Sequence, residues 1–308
     1  MRILVFGAGV LGCNLARNLY RAGKNVTLLA RGKWADKIEK NGLRIKDKLH
    51  IGTSVTHIPV IRSLLSDDVY DAIFVVIRYT QIESVIPALR ENGTKNIIFV
   101  GNNVRAAETA AALPEKRVMF AFASSAGERT GERVVSADMK KITIGDIAGS
   151  PSNEDTIREI FGGTKYKLTY EPRMDDYLIC HAAFVLPAVF ACYKTGGNLK
   201  LLKRDTAYLN RLIDANIEGY RAIKGAGREI LPEADKDFEG ERYRKTCLRF
   251  FKLICATGLG KILVSDHAMN AIDEMSALNR DIKSFYDGIG AEYPTWRALE
   301  SEAAPYLA

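Results

Sequence analysis

The sequence predicts an α/β fold in which an N-terminal, doubly wound parallel sheet is followed by an all-helical C-terminal half. Three observations carry it. Short apolar runs rich in β-branched residues alternate with helical patterns through the first half of the chain. A glycine string stands between the first of these runs and the first helical pattern. After Pro172 the runs of strand length stop and long helical stretches take over.

Taken in order, the strand-like runs are residues 3–6, 26–29, 72–77, 97–100 and 118–122. They are continuously apolar, as parallel strands covered by helices on both faces must be. Residues 132–136 and 141–145 alternate apolar and polar side chains around a polar stretch at 137–140, and are expected to form a hairpin extending the sheet. A helix over 153–161 and a strand over 166–170 complete an N-terminal domain at 1–171, with Pro172 marking the boundary. The C-terminal domain, 172–308, is expected to hold helices over 175–194, 206–226, 237–253 and 268–288 and a last one after Pro294.

At 308 residues the chain is longer than one hydrophobic core comfortably serves, in keeping with two domains. Its 47% hydrophobic and 26% charged residues exclude a disordered or fibrous protein. The net charge of +7 is spread, with 44 basic residues interleaved among 37 acidic ones, and reads as a solvated basic surface, not a nucleic-acid footprint. Cys13, Cys180, Cys192, Cys247 and Cys255 form no C-x-x-C pair and have no histidine at a zinc spacing, so free thiols in a reducing compartment and no metal site are expected. The opening apolar run is broken by Gly7 and Gly9 and is too short to span a bilayer. A cytoplasmic protein without a membrane segment is expected.

Gly7-Ala8-Gly9-Val10-Leu11-Gly12 fits G-x-G-x-x-G, and its place between a strand and a helix gives the string its meaning. In a Rossmann domain the first glycine permits a tight turn, the second lets the backbone approach a pyrophosphate, and the third lets helix pack closely on strand. The free N–H groups of the helix N-terminus then face the phosphates. An NAD site also needs an acid at the end of the second strand to hold the ribose hydroxyls. Here that strand runs into Ala30-Arg31-Gly32-Lys33, so cations stand in the acid's place and suit the 2′-phosphate of NADP(H). Solvated loop charges are the plainer account of Arg31 and Lys33, but the loss of the acid and its replacement by cations agree.

With this fingerprint, the arginine after the second strand and the helical second half, the sequence resembles the ketopantoate reductase family, NADPH-dependent enzymes of pantothenate synthesis. The resemblance is strong through the first domain and architectural through the second. In the family the fourth strand ends in a lysine with a glutamine three residues on. Phe74-Val75-Val76-Ile77-Arg78-Tyr79-Thr80-Gln81 puts arginine in the lysine's place, which implies cofactor contacts by Arg78 and Gln81. The family's next strand closes on an asparagine that touches cofactor and substrate, which falls on Asn102, while Asn103 departs from the glycine that follows it there. Ser124-Ser125-Ala126-Gly127 resembles the next cofactor-lining turn and implies Ala126 in that lining. Glu274, 20 residues before Pro294, falls where the family carries a glutamate on the nicotinamide ribose. A solvated helical glutamate is the plainer account of it.

The family's catalytic lysine is where the resemblance breaks. Aligned on Pro187, the first long helix of the second domain puts Leu178 at the lysine and Ala182 and Leu186 at two asparagines. Ketone reduction needs a proton for the developing alkoxide as well as a hydride, and leucine supplies none. His181, one turn from Leu178, is the best local donor, although a core histidine satisfied by a backbone carbonyl accounts for it equally well. Lys194, at the far end of the helix, is a weaker candidate. Cys180 and Cys192 read as buried thiols, and His267 as an exposed neighbour of an Asp266 helix cap. Loss of the asparagines removes the amides that would hold a hydroxylated 2-oxo acid, so ketopantoate itself is not the expected substrate.

The resulting expectation is an NADP(H)-dependent oxidoreductase that transfers hydride to a small carbonyl compound, a 2-oxo acid or a relative, in the cleft between its domains. Gly7, Ala8, Gly9, Val10, Leu11, Gly12, Arg31, Arg78, Gln81, Asn102, Ala126 and Glu274 are its cofactor residues, and His181, Glu274 and Asn102 its catalytic ones. The apolar faces of the helical half suit a homodimer, an inference from class alone. A reading of another class is an NADP(H)-binding sensor that lost its chemistry with the lysine. A third keeps ketopantoate reduction, with a lysine from an unaligned position.

Overall fold

Ile3, Leu4, Val5 and Phe6 are all buried, as a strand in mid-sheet with helices on both faces must be, and they form β1 (Arg2–Phe6). The computed structural model describes residues 1–48, 52–258 and 260–306, which separate into two units, Met1–Asp175 and Asp176–Ala308. In the first unit β1 leads through the glycine string into α1 (Val10–Arg21), β2 (Asn25–Leu29), α2 (Gly32–Asn41), β3 (Leu43–Asp47), β4 (Thr53–Thr56) and β5 (Val60–Ile61). It continues with β6 (Ala72–Val75), α3 (Ile82–Glu91), β7 (Asn96–Val100), α4 (Ala106–Ala111), β8 (Arg117–Thr130), β9 (Arg133–Gly145), α5 (Glu154–Phe161) and β10 (Lys167–Tyr170).

Among the described residues these strands make one sheet in the order β4-β3-β9-β8-β7-β6-β1-β2-β5, with β10 also on β9. Pairing is parallel except between β3 and β4 and between β8 and β9. The chain order reverses at β1, which pairs with β2 on one side and β6 on the other. Open α/β sheets bind their ligands at such a reversal, beyond the carboxyl ends of the strands.

The hairpin expected within residues 132–145 is not there. Those residues form one long strand, β9, and its antiparallel partner is the extended end of β8, joined through Gly131 and Glu132. The polar stretch at 137–140 is a bulge and not a turn: residues 139–141 stand opposite Ser124 alone, and Lys140 takes a φ of 51°. Asp138 holds the bulge by accepting from the Lys140 amide at 3.1 Å.

Asp138 also fastens α1 to this strand. Arg17 donates to it at 3.2 Å, with the two side chains only 4% and 2% exposed, and Asn18 donates to the same oxygen at 2.8 Å. A few residues nearer the start of α1, buried Asn14 donates to Ser125 of β8 and accepts from Ser136 of β9, at 2.8 and 3.1 Å.

The second unit is helical. It comprises α6 (Met174–Lys194), α7 (Thr206–Gly225), α8 (Glu241–Ala256), a π-helical turn over Lys261–Ser265, α9 (Asp266–Asn270), α10 (Ile272–Gly288) and α11 (Pro294–Ala303). The helix expected over 237–253 begins only after Gly240, and the one expected over 268–288 is interrupted. Ala271 leaves helical geometry at φ −140° and ψ 43°, so α10 starts afresh with Asp273 and Glu274 in its first turn, where the helix dipole favours acids. α7 lies close on α6, because a Cβ at Gly219 would stand 3.2 Å from that of Ala183. Glu218, beside it, accepts from the amides of Thr295 and Trp296 at 3.0 Å each and so caps α11. α6 is the one described helix long and apolar enough to cross a membrane, and 78% of its most apolar stretch is buried inside the protein, the condition of a core helix.

Because Arg17 is the buried counter-charge of Asp138, Arg17→Met is expected to destabilise the N-terminal unit by about 3 kcal/mol, and Arg17→Met with Asp138→Asn by clearly less. Urea unfolding of the two variants measures the difference. Equal losses would mean that the ion pair contributes nothing beyond its packing.

Candidate functional site

Three glycines shape the corner between β1 and α1, each for a different reason. Gly7 has a φ of +120°, and a Cβ there would stand 2.2 Å from the carbonyl oxygen of Val76 at the end of β6. A Cβ at Gly12 would stand 1.9 Å from the carbonyl oxygen of Gly7, so only glycine lets α1 lie this close to the strand. A Cβ at Gly9 would meet nothing within 4 Å. The space in front of Gly9, the N-cap of α1, is therefore open, and no side chain caps the amides behind it. That is the arrangement a helix N-terminus presents to an anion. Val10 and Leu11, half-buried, begin the helix.

Trp34 completes the corner. From α2 its indole N–H donates to the carbonyl of Ala8 at 3.0 Å, pinning the middle of the glycine string, and the Arg129 guanidinium lies 5.3 Å from the centre of its ring. Arg31 caps the same helix, exposed, with its guanidinium 5.9 Å from the Phe6 ring centre. Among the described residues neither Arg31 nor Lys33 is paired with a carboxylate.

The remaining sequence-derived positions of this unit fall beyond the carboxyl ends of β6 and β7. Exposed Arg78 precedes a short 3-10 turn that ends in exposed Gln81, whose side-chain Oε1 accepts from the Arg78 amide at 3.2 Å. Asn102 follows β7 and is half-buried, and its side chain makes no hydrogen bond with any described residue. Asn103 is buried and spent on the loop: it accepts from the Arg105 amide at 2.9 Å and donates to Thr109 at 3.0 Å. Ala126 is not in a turn, as the resemblance implied, but within β8, paired with Ala137. The small residues at 124–127 serve packing, since Asn14 bonds to Ser125 and a Cβ at Gly127 would stand 2.2 Å from the Val135 carbonyl oxygen. Trp34 and Asn14 went unnoticed in the sequence, although a polar residue on the inner face of α1 is the kind of signal that marks such a role.

In the helical unit Leu178, Ala182 and Leu186 form a stripe on α6 that is at most 2% exposed. With 3.6 residues per turn, His181 projects about 100° away from the mean direction of that stripe. Its ring is half-buried and lies parallel to that of Tyr177, 6.4 Å away. Burial, with repulsion from His267 added, pulls its pKa from 6.5 down to about 4, so the imidazole is neutral at pH 7. Glu274, in the first turn of α10, is 6% exposed and makes no hydrogen bond or ion pair with any described residue. Lys194 pairs with Glu302 at 2.7 Å. The five cysteines are buried and unpaired, and no group of metal-binding side chains occurs among the described residues.

A Rossmann-type sheet with a glycine-shaped corner between β1 and α1, followed by a helical unit, defines the fold class of the chain. Residues 3–149 match the family model described as ketopantoate reductase PanE/ApbA. That match lies within the N-terminal unit and spans just under half of the chain. No curated protein matches it in sequence. Among solved structures it is similar to 2-dehydropantoate 2-reductase from Geobacter metallireducens GS-15 (16% identity, 99% of each chain covered, TM-score 0.80). It is also similar to dimeric ketopantoate reductase from Staphylococcus aureus (14% identity, 100% of this chain and 99% of that one, TM-score 0.75). D-mandelate dehydrogenase, solved as a ternary structure with NADH and anilino(oxo)acetate, is similar as well (12% identity, 100% and 98% covered, TM-score 0.78). At these identities the likenesses establish the fold.

The neutral state of His181 has a measurable consequence. Unfolded, the imidazole takes up its proton near the ordinary value of 6.5; folded, only near 4. Its stabilising effect is therefore full above the ordinary value and lost as pH falls through that window, by on the order of 2–3 kcal/mol. Urea unfolding of wild type and His181→Gln on either side of the window is expected to show the wild type losing more stability on acidification. An identical pH dependence in the two proteins would mean that His181 titrates normally.

Proposed function

We propose that the chain is an NADPH-dependent reductase of a small apolar 2-oxo acid. One observation carries the reading: open space in front of Gly9 and an uncapped helix N-terminus stand beside exposed cations where an NAD site needs an acid. When bound, the nicotinamide supplies a hydride to the carbonyl carbon. The amides behind Gly9 hold the pyrophosphate, and Arg31, with Lys33 beside it, pairs with the 2′-phosphate. Arg78 and Gln81 line the cofactor from the end of β6, and Ala126 from β8. Asn102 and Glu274 both have hydrogen-bonding capacity that no described residue uses. Asn102 donates its amide to nicotinamide or substrate, and Glu274 accepts from the nicotinamide ribose.

His181 is a poorer proton source than the sequence suggested, because a neutral imidazole with so low a pKa has no proton to spare at neutral pH and points away from the Leu178 stripe. Water is the better donor to the alkoxide. The apolar stripe offers no amide to a hydroxylated substrate, which supports an apolar 2-oxo acid in place of ketopantoate. The D-mandelate dehydrogenase likeness, with its anilino(oxo)acetate, supports the same class. The dimeric S. aureus relative supports a homodimer, and the free thiols support the cytoplasm. The same stripe also favours a second reading, an NADP(H) sensor without turnover.

Fluorescence titration with NADPH and NADH, followed by NADPH oxidation against a panel of 2-oxo acids, separates the readings. NADPH is expected to bind more tightly than NADH, and Arg31→Ala to weaken NADPH roughly 10- to 100-fold while leaving NADH nearly unchanged. A wild-type preference for NADH would sink the role of Arg31. Tight NADPH binding with no turnover of any 2-oxo acid would establish the sensor.

A further inference from the structure

The helical unit holds a cavity of about 320 Å³ on the Tyr177–His181 face of α6, and Leu178, Ala182 and Leu186 take no part in its lining. It is a concave space open to solvent on one side and lined mostly by aromatic and apolar side chains, the kind of lining that small-molecule sites have. Its floor includes the buried ring of Tyr220, and its side is formed by Phe184 and Phe250, with ring centres 5.8 Å apart. Thr246 and Phe250, both exposed, stand at its rim.

The charge of this wall is one-sided. Asp235 is its only carboxylate, and no lysine or arginine lines it. One Asp235 oxygen accepts from the Tyr220 hydroxyl at 3.0 Å, and the other has no partner among the described residues. Burial raises the pKa of Asp235, a sign of how little water screens it, and the imidazole of His181 is neutral at pH 7. Aromatic faces present negative potential and attract cations. The Asp235 carboxylate and the aromatic faces disfavour an anion, and hence a 2-oxo acid, and favour a cation.

We propose that this cavity binds a small organic cation, an arylalkylamine in its ammonium form, with the ammonium on the free Asp235 oxygen and the apolar body against the wall that Phe184 and Phe250 form together. The site is independent of the reductase reading, because none of its residues holds cofactor or substrate in that reading and NADPH titration reports on the nucleotide corner.

Isothermal titration calorimetry of the full chain with 2-phenylethylamine and with phenylacetate, its anionic counterpart, tests the assignment. The amine is expected to bind with one-to-one stoichiometry at millimolar concentration or tighter, and phenylacetate not to bind. Asp235→Asn keeps an acceptor for Tyr220 but removes the charge, and is expected to weaken the amine roughly tenfold or more. Thr246→Trp, a change at an exposed rim whose folding circular dichroism can verify, is expected to abolish binding by filling the mouth. Absence of amine binding, equal binding of phenylacetate, or amine binding indifferent to both substitutions would each overturn the proposal.

Discussion

The approach of α1 to β1, backbone against backbone at Gly12 and Gly7, is the contact on which the N-terminal unit depends. Were the helix even a methyl's width further out, its other attachments would lose their geometry. Asn14 reaches both strands of the β8/β9 hairpin only from this distance, and Arg17 and Asn18 converge on Asp138 one turn later. Trp34 holds the same corner from α2 through the Ala8 carbonyl. The open face at Gly9 thus sits within a frame fixed on several sides, and a preorganised backbone loses little freedom when a ligand arrives.

Much of this was legible in the sequence, and the exceptions share a cause. The parallel strands announce themselves through unbroken apolar runs, and the glycine string through its place between strand and helix. The hairpin was misplaced because polar residues at 137–140 look like a turn, whereas the fold uses them for a bulge that Asp138 stabilises with its own side chain. At 124–127 the family resemblance implied a turn, whereas the small residues there continue β8 and serve the helix packed on them. In both places the long-range partner that explains the local sequence lies far away in the chain.

The positions implied by family resemblance divide differently. Asn102 and Glu274 keep side chains with unused hydrogen-bonding groups, whereas Asn103, which looked like a departure at the site, is consumed in shaping the loop that ends at α4. His181 could not be judged from sequence, because helical spacing tells which residues are neighbours but not how dry their surroundings are. Its neutrality and the cavity it faces are properties of α6, α7, α8 and the loop bearing Asp235 together, and no single stretch of sequence contains them.

The buried stripe on α6 bears on how this chain's lineage can change. A single replacement of Leu178 by lysine would not return the group that the family resemblance leads one to expect. The new ammonium would enter a position that is 2% exposed, next to two further apolar side chains of the stripe, and would either lose its proton or disrupt the helix. Amides at Ala182 and Leu186 would first be needed to make the surroundings polar, and each of those, arriving alone, would bury an unsatisfied group. Each single polar replacement in the stripe is uphill, so the apolar face of α6 resists change one residue at a time.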